Sequence, residues 1–125
     1  MKRFWIGSAI SFIAIIALGF ALVKINEIND CKKFLVRIGD FYVNYVDAIA
    51  DYGNLEDKTS EYAINKVEYA EFCGDTCIFF LERLPEKYDE ELISKATHKL
   101  SLSEIENLKN AIAFYEEIVG AKHVN

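Results

Sequence analysis

The sequence predicts an all-α protein in which an N-terminal transmembrane helix continues into an up-and-down bundle of about four helices. Three observations carry this. A twenty-residue, predominantly apolar stretch runs from Phe4 to Val23 with no charge in it. Beyond Val23, apolar residues recur at steps of three and four, the period of a helix face. Nowhere does a two-residue alternation bounded by hairpin turns mark a strand.

The leading stretch follows Met1-Lys2-Arg3, is broken only by Ser8 and Ser11, and closes at Lys24. A helix of that length rises about 30 Å, matching a bilayer's hydrocarbon core. Serine hydroxyls bond back to the preceding turn and are tolerated in lipid, and Trp5 falls at the depth of an interfacial aromatic. Residues 1–23 therefore read as a signal-anchor. The rival is a cleaved signal peptide, with Gly19-Phe20-Ala21 as its small-residue site and a mature chain starting near Leu22. The apolar run is longer than the usual ~7–15-residue signal core, which favours retention. Lys24, Lys32, Lys33 and Arg37 outnumber Lys2 and Arg3, a count favouring a cytoplasmic C-terminus. A short cationic head before a hydrophobic run instead favours export, and residues 24–125 are expected outside the membrane, in the periplasm of a bacterial cell.

The first soluble stripe is Ile28, Cys31, Leu35, Ile38, Tyr42, Tyr45, Ile49 and Tyr52, with Phe34, Phe41 and Val46 flanking it. So broad a face suits a bundle rather than a two-stranded coil. The same register projected backwards meets Gly7, Ala14, Ala17 and Ala21, small residues that permit close helix approach in lipid. One long helix ending at a Gly53-Asn54 cap is the expectation. A second helix is expected from an Asp57 N-cap, with Ala63, Val67, Ala70, Gly74, Cys77, Leu81 and Leu84 inward and Leu84-Pro85 as its end. Its small residues complement the large ones of the first helix, which predicts an antiparallel hairpin. Pro85 then opens a short third helix carrying Tyr88, Leu92, Ile93 and Ala96. Ser101-Leu102-Ser103-Glu104 is a capping box for a fourth helix, with Ile105, Leu108, Ile112, Tyr115 and Val119 inward and Gly120 as its stop.

Chemistry-bearing motifs are sparse. The chain has 14 Lys and Arg against 20 Asp and Glu, a net charge of −6, which argues against a nucleic-acid partner. Cys73 and Cys77 form a C-x3-C rather than a redox C-x-x-C, and no histidine accompanies the three cysteines as a metal ligand. Counting register about the Gly53–Lys58 turn puts Cys31 near residues 78–80, so a Cys31–Cys77 disulfide is expected in an exported domain, with Cys73 unpaired or used between chains. Glu86, Asp89, Glu90 and Glu91 form an acidic surface suited to a cationic partner. The absence of Glu-x-x-His removes di-iron bundles, and no nucleotide-binding or hydrolase motif occurs. His98 and His123 lie near segment ends with no nucleophile beside them.

Neither catalytic residue, metal nor cofactor is therefore expected. The function expected is a non-enzymatic protein–protein interaction module on a single-pass membrane anchor, pairing with another protein or with itself. The alternative is a small acidic periplasmic inhibitor or immunity-type protein that blocks a cationic enzyme.

Overall fold

A computed structural model of the chain describes the backbone of residues 2–124 and the side chains of residues 13–121. Among the described residues all regular structure is helical: α1 spans Lys2–Gly53, α2 Glu61–Lys87, α3 Glu90–His98 and α4 Leu102–Val124.

The helix α1 forms because no proline and no helix-breaking run interrupts 52 residues. Its inward stripe is as the spacing predicts near the middle, where Cys31, Leu35 and Ile38 are fully buried. Towards the end it slips by one residue: Ala48 is buried while Ile49 is 47% exposed. A straight helix turns every 3.6 residues, so a strict three-four pattern rotates off the contact line over several turns. The end of α1 also differs from the expected glycine cap. No described glycine takes a positive φ. Instead the Asn54 N–H bonds to the Ala50 carbonyl at 3.1 Å and the Leu55 N–H to Tyr52 at 3.2 Å.

The next helix starts later than expected. Asp57 does not cap α2; its carboxylate accepts from the Thr59 N–H at 2.9 Å, closing a local turn. Ser60 is the N-cap, its hydroxyl accepting from the Ala63 N–H at 3.2 Å. Helix α2 also continues through Pro85 to Lys87, where the Tyr88 N–H closes onto the Leu84 carbonyl at 3.0 Å. Proline in a final turn forfeits one bond, to the Leu81 carbonyl, in a helix about to end, so the disruption stays local. Pro85 consequently does not open α3. That role falls to Asp89, which accepts from the Leu92 N–H at 2.8 Å.

The capping box at α4 forms in full. The Glu104 N–H donates to the Ser101 hydroxyl at 3.3 Å, and the Ser101 N–H donates to the Glu104 carboxylate at 3.2 Å. Gly120 does not stop the helix, which runs on to Val124. Along α4, Leu108 and Ala111 are buried, whereas Ile112 lies at the exposed edge of the stripe.

Helix α1 is the spine, and the other three pack against it. Helix α2 runs back down it: a Cβ on Gly74 would sit 3.1 Å from the Tyr45 ring, and Cys77 lies at the Ile38 carbonyl. This is the small-against-large interdigitation the sequence predicts. Helix α4 ascends beside α1, because Gly39 meets Asn107 and Leu108 while Tyr45 meets Phe114, ring centroids 4.8 Å apart. Helices α2 and α4 barely touch each other. With nine residues, α3 reaches only about 13 Å. It acts as a link at the lower end of the bundle, not as a full fourth pillar.

Candidate interaction surfaces

Among the described residues, nothing packs on α1 from Ile13 to Val23. Ile13, Ile15, Ile16, Leu18, Phe20, Leu22 and Val23 are 43–71% exposed. Ala14, Ala17 and Ala21 of the expected packing face are exposed as well, and a Cβ on Gly19 would meet nothing within 4 Å. The side chains of Trp5 and Gly7 lie outside the described residues. Among the described residues no helix is long and apolar enough to cross a membrane. Only the part of the apolar stretch from Ile13 onward has described side chains, short of the ~20 residues a span requires.

The cysteines sit in the packed interior. Cys31, Cys73 and Cys77 are all buried and free, so the expected Cys31–Cys77 disulfide is absent from this structure. The cause is register. The Cys77 thiol donates to the Ile38 carbonyl at 3.8 Å, and Ile38 stands seven residues, about 10 Å of helix rise, beyond Cys31. Counting register about a Gly53–Lys58 turn made the link too short, since α2 begins only after Ser60. Burial pushes the Cys77 thiol up to about 11. Burial first, and the nearby Asp89 charge second, also raise that of Cys31. Reactive and metal-binding cysteines need the opposite shift, towards thiolate. No group of three or more His, Cys, Asp or Glu among the described residues could hold a metal ion. The cysteines act as compact apolar filler.

Glu86 in the last turn of α2, Asp89 in the link and Glu90 and Glu91 in the first turn of α3 are all exposed. Two of them have local partners: Asp89 caps α3, and Glu91 pairs with Lys95 at 2.9 Å. Cations interleave with them. Lys87 lies 5.2 Å from the Phe34 ring and 5.5 Å from that of Tyr88. The open cleft beside this turn, about 620 Å³, is lined by Lys33, Arg37 and Lys87 as well as Glu27, Asp30 and Asp89. The turn is a mixed-charge surface rather than a single-sign one. His98 is exposed in the last turn of α3; the His123 side chain lies outside the described residues.

Sequence reasoning missed the outer side of α2. Tyr62, Tyr69, Phe72 and Phe79 are 47–60% exposed along it. Composition alone assigns large rings to the interior. The usable signal was a second three-four stripe, offset from the first, in the same 27 residues. No protein-family model, no curated protein and no solved structure matches the chain.

Proposed function

We propose that the chain is a non-enzymatic single-pass membrane protein, in which the leading helix holds a helical interaction module just outside the bilayer. The observation that carries the reading is the contrast along α1. From Ile13 to Val23 it presents large apolar side chains that no described helix covers, and its upper part is the spine of a packed domain. Exposing that many apolar residues to water is unfavourable at about 25 cal/mol per Å². Together with Phe4–Val23 in the sequence, a lipid environment relieves this. The Lys2-Arg3 head supports export of the bundle. The inhibitor reading rests on net acidity, and the interleaving of Lys87 and Lys95 with the acids of the α2–α3 turn weakens it.

The test is flotation of the untagged chain with membranes after alkaline carbonate washing, with the N-terminus of the recovered protein determined directly. The expected outcome is a full-length chain that floats, its bundle cleaved by protease added from the extracytoplasmic side. A full-length chain left in the soluble fraction overturns the reading. A soluble form beginning near Leu22 replaces the anchor with a signal peptide.

A further inference from the structure

We propose that the open cleft at the lower end of the bundle binds a short zwitterionic peptide, held by its free amino and carboxyl ends. The cleft lies between α1 and the link from α2 to α3, and its volume of about 620 Å³ suits a small organic ligand. Its lining is sorted by charge. Glu27 and Asp30 supply acids low on the α1 wall, and Lys33 and Arg37 supply cations further up it. The opposite wall keeps the same order. Lys87, closing α2, stands at the level of Phe34, 5.2 Å from its ring. Asp89, capping α3, shares a lower hollow with Lys24 and Ile28. Between the two ends Phe34 and Tyr88 form an aromatic floor, ring centroids 5.7 Å apart.

The charges of the α1 wall are uncommitted. Among the described residues Glu27, Asp30, Lys33 and Arg37 are exposed and form no ion pair. Asp89 spends one carboxylate oxygen on the Leu92 N–H at 2.8 Å, which leaves the second. Opposite charges held apart along a groove select a ligand dipole of matching length. The α1 acids and the α1 cations are separated, midpoint to midpoint, by about 10 Å of helix rise. A free amino acid is too short to bridge them, because its two charged groups share one carbon. An extended tripeptide spans the gap, at about 3.3–3.6 Å per residue. Arg37 offers a planar fork to the terminal carboxylate. No group of acids among the described residues could hold a metal ion, so the acidic end suits a bulkier ammonium. An ethanolamine lipid carries its phosphate on the membrane side of its ammonium and would set that phosphate against Glu27 and Asp30. That one exclusion rests on the anchored reading above.

The test titrates alanyl-leucyl-alanine against the full-length chain in maltoside micelles by ligand-observed NMR, with the N-acetyl and C-amide forms of the peptide alongside. The expected result is saturable binding of the free peptide that weakens about tenfold with either cap and falls as salt rises. Lys33→Gln with Arg37→Gln should weaken the free peptide by about tenfold and leave the C-amide form unchanged. Glu27→Gln with Asp30→Asn should weaken the free peptide equally and leave the N-acetyl form unchanged. All four residues are exposed, so these variants should melt as the native chain does, and Lys109→Gln on α4 is the control. No saturable binding, equal binding of free and capped peptides, equal losses for free and capped peptides on substitution, or tighter binding of glycerophosphoethanolamine overturns the site. A chain that binds the peptide without floating with membranes upholds the site and removes the anchor; one that floats without binding does the reverse.

Discussion

The two halves of α1 are built from the same helix and differ in where charge is allowed. From Ile13 to Val23 every side is apolar, and no other helix packs there. From Lys24 to Tyr52 one side carries Asp30, Lys33, Arg37, Asp40 and Asp47, and the other is covered by α2, α3 and α4. Hydrophobic content alone says only that a segment leaves water. Its periodicity says whether lipid or protein receives it, because a protein partner covers one side and leaves the other to charge. The same distinction separates the two sides of α2, one packed on α1 and one half exposed.

The sharpest way to break the comparison between the halves of α1 is to remove the same side chain from each. Leu35 is 1% exposed and Leu22 is 60% exposed. Leu35→Ala is expected to cost about 2–5 kcal/mol of bundle stability, whereas Leu22→Ala leaves it unchanged. Denaturant unfolding of the full chain in detergent measures both. An equal loss at the two sites would mean that the lower half packs on the domain.

Thiol chemistry tests the buried seam next. With the Cys77 thiol raised from 9.0 to about 11, the native chain holds on the order of a hundredfold less thiolate there than the unfolded chain at pH 8. Alkylation should therefore spare Cys77 until denaturant is added. The sign follows for stability: the neutral buried thiol contributes fully below about pH 9 and loses that contribution as pH rises through about 11. Unfolding midpoints across that window should fall more steeply for the native sequence than for Cys77→Ala.

Overpacking the α1–α2 contact has a smaller effect. Gly74→Leu must displace the Tyr45 ring, already 3.1 Å from where a Cβ would stand, and should cost about 1–3 kcal/mol. The mildest case is Ser101→Ala, worth about 1 kcal/mol through the α4 cap. Bonds from the Ser101 hydroxyl and N–H hold the Glu104 carboxyl below its ordinary 4.5. The cap's contribution is present above that value and fades as pH falls through the lower folded one. Ser101→Ala should flatten this acid dependence in thermal melts.

Helix number, the hairpin of α1 with α2, and the small-against-large character of their contact were legible because they depend on periodicity and side-chain size. The capping box was legible because two residues at fixed spacing satisfy each other. Boundaries were not. Asp57 and Ser60 are both good caps, and only packing decides that Asp57 closes a turn and Ser60 starts the helix. That difference of three residues was enough to misalign Cys31 with Cys77. Pro85 and Gly120 are breakers by intrinsic preference, overridden where a helix is ending or carries no load on that residue. The acidic turn was legible as composition and not as a field, since Lys33 and Arg37 of α1 line the cleft beside it only through folding.

Because α1 is continuous for 52 residues, about 78 Å, no hinge separates whatever grips its lower end from the domain above. A tilt of about 5° at that base would carry the tip near Tyr52 sideways by roughly 4 Å over a 45 Å arm. Such a mast converts small reorientations of its footing into displacements the size of a side chain at its head.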